Sequence, residues 1–135
     1  MKKPKLESKK YFKISCETFA TDVACFINFS MDEAIQYCEK KKLTALAEML
    51  KKQDKQGLDD LALLARMYPL DRGYAVFLNF KKNEHRRNIS IFAHELSHVV
   101  SWMLMDRRIP LTKDSDEVYA YATEELMKKF LFAWY

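Results

Sequence analysis

Short segments of apolar residues predict a small set of strands. Tyr11–Cys16 and Val23–Phe29 come before the first helical pattern, and Tyr74–Phe80 is the clearest strand of the chain. These segments are rich in β-branched and aromatic residues, which pack well on a pleated surface. The pattern therefore predicts two strands before a block of helices and one strand after it.

Apolar residues at helical spacing predict the helices. Ser30, with Glu33 three residues later, forms a capping-box pattern at the start of the first of them. A helix capped by Asn88 should run from the end of a charged loop, Lys81–Arg87, to about Asp106. The other helical segments are Leu43–Lys52, which either extends the first helix or forms a second, Leu58–Met67 before Pro69, and a last helix from about Asp114.

This order of elements predicts an α+β domain in which helices pack on a small sheet. Only two glycines and three prolines occur in 135 residues, which argues against a turn-rich sandwich or barrel. A chain of this length forms one domain. We assign residues 11–135 to that domain and residues 1–10 to a basic, flexible tail.

Composition narrows the class of protein further. The net charge of +4 is spread along the chain, and no nucleic-acid-binding motif accompanies the basic residues, so the tail is better interpreted as a solvated chain end. Three cysteines at wide spacing suggest buried thiols in a reducing compartment. Neither a secretory signal nor a membrane-spanning run is visible, which predicts a cytoplasmic protein with no membrane partner.

The segment that carries chemistry is His94-Glu95-Leu96-Ser97-His98, a His-Glu-x-x-His motif. The four-residue spacing puts both imidazoles on one helix face, where they can bind a single Zn²⁺. Glu95 lies about 100° further round the helix, beside the ion, and can act as general base toward a metal-bound water. Phe92, Leu96, Val99 and Met103 form a separate stripe that should face the core.

The two histidines need a third ligand. His85 is the only other histidine, but its arginine neighbours disfavour a further positive charge there. Glu117 is favoured instead, because it begins a helix that follows a short connection broken by Pro110, so that the two helices can pack as neighbours. The less favoured alternative is that Glu117 is the partner of Asp114 in a capping box, since both roles place a carboxylate at this end of the helix.

The motif and the following glutamate resemble the gluzincin class of zinc metallopeptidases. Eighteen residues separate His98 from Glu117. From about Ser90 to Glu125 the chain is also similar to small phage-encoded and prophage-encoded proteins assigned as metallopeptidases. The resemblance implies a minimal zincin-like fold in which His94, His98 and Glu117 bind zinc and Glu95 is the catalytic base. It also implies that Tyr74–Phe80 lies next to the cleft, where an exposed edge could bind an extended peptide substrate.

The resemblance leaves two points open. Many larger gluzincins have an acidic residue four positions after the third ligand, whereas this chain has Tyr121. Tyr121 could hydrogen-bond a ligand or a developing oxyanion, or it could be a packed aromatic residue. A chain of this length has little room for a second lobe, so either the cleft is shallow or a partner chain completes it. The alternative to a peptidase is a metal-stabilised interaction or assembly protein of a phage or prophage, without catalysis.

Overall fold

The computed structural model describes residues 8–53 and 65–135, in which a four-stranded mixed sheet is packed between helices. The order along the chain is β1 (Lys10–Cys16), β2 (Thr21–Ile27), α1 (Met31–Lys40), α2 (Thr44–Lys51), β3 (Ala65–Pro69), β4 (Tyr74–Leu78), α3 (His85–Asp106) and α4 (Asp116–Trp134). The α+β class is therefore confirmed.

The strand order in the sheet is β1-β2-β4-β3. β1 and β2 are antiparallel, β2 and β4 are parallel, and β3 and β4 are antiparallel. All five residues of β4 are buried, and β4 lies between two other strands. The expectation of an exposed edge at Tyr74–Phe80 is therefore wrong: of the strands in the described residues, β1 and β3 form the edges.

The two faces of the sheet carry different helices because side chains alternate along the buried strands. In β2, Val23, Cys25 and Ile27 belong to the core that includes α3 and α4. Ala24 and Phe26 belong to the core that includes α1 and α2. α3 packs against β3 and β4, and α4 packs against β1.

The capping box predicted at the start of α1 is formed. Ser30 accepts a hydrogen bond from the Glu33 backbone, and the Glu33 side chain accepts one from the Ser30 backbone. α1 and α2 are separate helices, and the break between them includes Lys42, whose φ is 62°.

Two predicted helix boundaries are wrong. Ala65–Met67 belongs to β3 rather than to a helix, because this segment pairs with β4 (Met67 with Val76); the rest of the predicted Leu58–Met67 helix lies outside the described residues. Asn88 does not cap α3, which begins at His85. Its buried side chain instead binds the backbone N–H and C=O of Lys81, fixing the β4–α3 connection.

None of the helices in residues 8–53 and 65–135 is long and apolar enough to cross a membrane.

Glu125 ties α4 to the β1–β2 turn. Its carboxylate accepts hydrogen bonds from the backbone N–H of Glu17 at 2.6 Å and the hydroxyl of Thr18 at 3.0 Å, and it pairs with Lys129 Nζ at 2.8 Å. Burial raises the pKa of this carboxyl, but these hydrogen bonds outweigh the burial and lower it to about 2. The ionised form is therefore the one that stabilises the fold.

We expect Glu125→Gln to lower the free energy of unfolding by about 2 kcal/mol at pH 7, since hydrogen bonds to charged groups contribute about 1.5–3 kcal/mol. The folded-state pKa lies below the unfolded value. The stabilisation is thus complete above about pH 4.5 and is lost as the pH falls toward 2. Urea unfolding between pH 7 and pH 3 measures this loss. Glu124→Gln is the control, because the Glu124–Lys128 pair is exposed; equal stability of the two variants at pH 7 would contradict the assignment.

Candidate metal centre

His94 and His98 come together on the exposed surface of α3. Their Nε2 atoms lie 3.2 Å apart. Two ligands of a tetrahedral zinc ion, each about 2.0–2.1 Å from the metal, lie about 3.3 Å apart. The separation therefore matches that of two zinc ligands, and it is also a hydrogen-bonding distance between the two rings.

The core packing of α3 explains why both histidines face outward. Phe92, Leu96, Val99 and Met103 are buried, as predicted from their spacing. These side chains fix the rotation of the helix, and both histidines lie outside that stripe and are exposed. The packing of these apolar side chains therefore holds α3 in place and leaves both imidazoles accessible to solvent.

Glu95 is placed differently from its two histidine neighbours. It is only 7% exposed, although it lies next to an exposed residue in sequence. Burial raises the pKa of its carboxyl, while His94 and His98 act in the opposite direction. Within the described residues its carboxylate accepts no hydrogen bond. The carboxylate is therefore held near the imidazoles without being committed to a structural partner.

Glu117 is exposed in the first turn of α4. The part of the chain that the structure describes contains no group of three or more His, Cys, Asp or Glu side chains arranged to hold a metal ion. Glu117 as the third ligand accordingly stays a prediction. The competing capping box is not formed, because the N-cap is Ser115 rather than Asp114 and makes no side-chain capping bond.

His85, the other histidine, and Cys38, a further residue of a type that binds zinc, both lie away from the His94–His98 pair. His85 is nine positions before His94, about 13 Å along the helix axis, and its Nδ1 lies 3.0 Å from the Tyr135 hydroxyl. Cys38 is buried in the core on the α1–α2 side of the sheet. Neither residue contributes to the site on α3.

Tyr121 is 61% exposed on α4, so it is not a packed aromatic residue. Its hydroxyl forms no hydrogen bond to another described residue. The predicted role in binding a ligand or an oxyanion stays a prediction.

Trp102 and Met105 were not singled out from the sequence. They are 39% and 63% exposed, and they follow His98 by four and seven positions, which places them on its side of α3. This spacing was visible in the sequence, but their exposure was not, since apolar residues in a helix are normally assigned to the core. The exposed surface of α3 thus continues from the imidazoles into an apolar region.

Comparison with known proteins finds no family model, no curated protein and no solved structure that matches this chain.

Proposed function

We propose that this protein is a zinc-dependent metallopeptidase with a minimal zincin-like fold, working on peptide or protein substrates in the cytoplasm. The observation that carries the proposal is the 3.2 Å separation of the His94 and His98 Nε2 atoms beside the buried Glu95. A metal site that serves structure only has no need for a carboxylate at this position. Structural zinc sites are also usually closed by four protein ligands.

His94 and His98 would hold the zinc, with Glu117 as the proposed third ligand. Bound zinc supplies a Lewis acid that lowers the pKa of a coordinated water. Glu95 accepts the proton of the attacking water and delivers it to the leaving amine. Because Glu95 forms no competing hydrogen bond within the described residues, its carboxylate is available for both transfers. Tyr121 is proposed to donate a hydrogen bond to the developing oxyanion.

A second function is favoured by one specific observation. Both imidazoles are exposed, and Trp102 and Met105 extend the same surface with apolar side chains. Such a surface suits a metal-stabilised interaction protein, in which a partner chain supplies the remaining ligands. The two functions differ in the oligomeric state of the zinc-loaded protein, which light scattering after gel filtration measures with and without zinc.

The test of the proposal begins with metal content. We expect the wild-type protein to retain about one zinc per chain after exhaustive dialysis. His98→Ala should lose it, because a single imidazole and one carboxylate bind zinc weakly. Glu117→Ala should weaken binding strongly, whereas Glu124→Ala on the same helix should not. Elemental mass spectrometry gives the stoichiometry.

The outcomes separate the parts of the proposal. Zinc retained by Glu117→Ala would remove that residue from the ligand set and leave the histidines in place. No zinc in the reloaded wild-type protein would contradict the metal site and with it the peptidase. A zinc-loaded protein that cleaves no member of a peptide library would favour the interaction protein.

A further inference from the structure

A cavity of about 410 Å³ lies on the α1–α2 side of the sheet, on the opposite face from α3. Small-molecule sites typically have volumes of about 300–1,000 Å³. One wall of the cavity is apolar and consists of Leu43, Leu46, Met49 and Leu70. The cavity has therefore both the size and the apolar surface of a ligand site, and it is separate from the proposed metal centre.

The charged residues that the structure describes at the cavity are mostly positive. Among them Lys13, Lys42 and Arg72 are positive and Asp22 is acidic. Asp22 is already engaged, since it accepts a hydrogen bond from Ser15 Oγ at 2.6 Å and lies 3.6 Å from Lys13 Nζ. Lys42 and Arg72 form no ion pair within residues 8–53 and 65–135. Both side chains are exposed, so these two cations are accessible to a ligand that enters the cavity.

The start of α2 forms another wall. Thr44, Ala45 and Leu46, the first three residues of this helix, all line the cavity. The N-cap residue Leu43 makes no side-chain capping bond, and the first turn contains no acidic residue. The backbone N–H groups of Thr44, Ala45 and Leu46 form no hydrogen bond to another described residue. The helix dipole adds partial positive charge at this end of α2. The charge at the start of α2 therefore has the same sign as the charges of Lys42 and Arg72.

We propose that this cavity binds a small amphipathic anion, in which a carboxylate or phosphate head is carried on an apolar body. The head lies between Lys42, Arg72 and the first turn of α2. The apolar body packs against the leucines and Met49. An apolar wall beside two cations that have no ion-pair partner among the described residues favours this ligand class over a neutral ligand, which would form no charge-assisted hydrogen bond with them. It also favours this class over a bare anion, which would leave the apolar wall in water.

Titration followed by backbone amide NMR spectra tests the proposal with four probes: octanoate, octyl phosphate, 1-octanol and inorganic phosphate. We expect saturable shifts of the Thr44, Ala45 and Leu46 amides with octanoate or octyl phosphate, and the tighter of the two identifies the head group. 1-Octanol and inorganic phosphate should each bind at least about tenfold more weakly, because each lacks one half of the ligand.

Substitutions at the cavity test whether the ligand binds there. Lys42→Asn and Arg72→Gln should each weaken binding of the charged amphiphile about tenfold, since each removes a charge-assisted hydrogen bond. Asparagine tolerates the positive φ of position 42. Lys82→Gln removes the same charge from an exposed position outside the cavity and should bind like the wild type. No saturable shift with either amphiphile, equal affinity for 1-octanol, or unchanged affinity in both cavity variants would overturn the proposal.

Discussion

Replacing Glu95 with glutamine is expected to leave zinc binding intact and to slow peptide hydrolysis about 10²- to 10⁴-fold, the usual contribution of a positioned general base. Glutamine keeps the size of the buried side chain but cannot accept the proton of the attacking water. If Glu95 is the general base, as proposed, the loss should appear in kcat, because a general base acts in the transition state rather than in substrate binding. Zinc content and kcat, measured on the same preparation, test both halves of the prediction.

A matched control is available on the same helix. Ser97 lies between the two histidines, and its hydroxyl donates to the backbone C=O of His94 at 2.6 Å. Ser97→Ala changes the surface of the motif without removing a proton acceptor, so its kcat should stay within about threefold of the wild-type value. Equal activity of Glu95→Gln and the wild type would exclude Glu95 as the base. Loss of zinc in Glu95→Gln would instead assign it a role in the ligand set.

The second large effect concerns stability. Phe130 on α4 is 1% exposed and stacks on Phe92 of α3, with their ring centroids 3.6 Å apart. It also contacts Phe12 of β1 and Phe80, which follows β4. We expect Phe130→Ala to lower the free energy of unfolding by about 3–5 kcal/mol, because it removes a large buried side chain and leaves a cavity. That is a large share of the roughly 5–15 kcal/mol that stabilises a typical domain.

Phe132→Ala is the matched control, two residues away on the same helix. Phe132 is 91% exposed, so its truncation should change stability by less than about 0.5 kcal/mol. Denaturant unfolding followed by circular dichroism compares the two variants. If Phe130→Ala costs no more than Phe132→Ala, the aromatic cluster does not hold α4 against α3, and the placement of Glu117 relative to the histidines is then not fixed by this packing.

The sequence predicted the parts of the fold that depend on local pattern. The buried stripe of α3, the capping box at Ser30 and strands β1, β2 and β4 were all visible in the order of apolar residues. β3 was missed because Ala65–Met67 continues an apolar stretch, and its strand pairing depends on β4 rather than on its own sequence. Asn88 was misassigned because a residue type that favours helix caps also binds backbone groups when buried.

In the candidate site, too, the sequence predicts contacts that follow from spacing within one helix, but not contacts that depend on how two helices pack. The convergence of His94 and His98 follows from a spacing within one helix, and the structure confirms that they meet. The third ligand depends on how α4 is placed against α3, which no local pattern specifies. Glu117 therefore stays a prediction, as does Tyr121. The burial of Glu95 was indicated by its position, since it lies three residues after Phe92 and four before Val99, at the margin of the buried stripe of α3.

The strand order has a consequence for how the chain is made. β4 lies between β2 and β3, and Val23 pairs with Tyr74, about 50 residues later. During synthesis β2 can pair with β1 at once, but its other edge must wait until β4 has left the ribosome. Until then a strand of buried residues, Val-Ala-Cys-Phe-Ile, has one row of unpaired backbone groups. We therefore expect a nascent chain that ends before Tyr74 to bind chaperones or to aggregate.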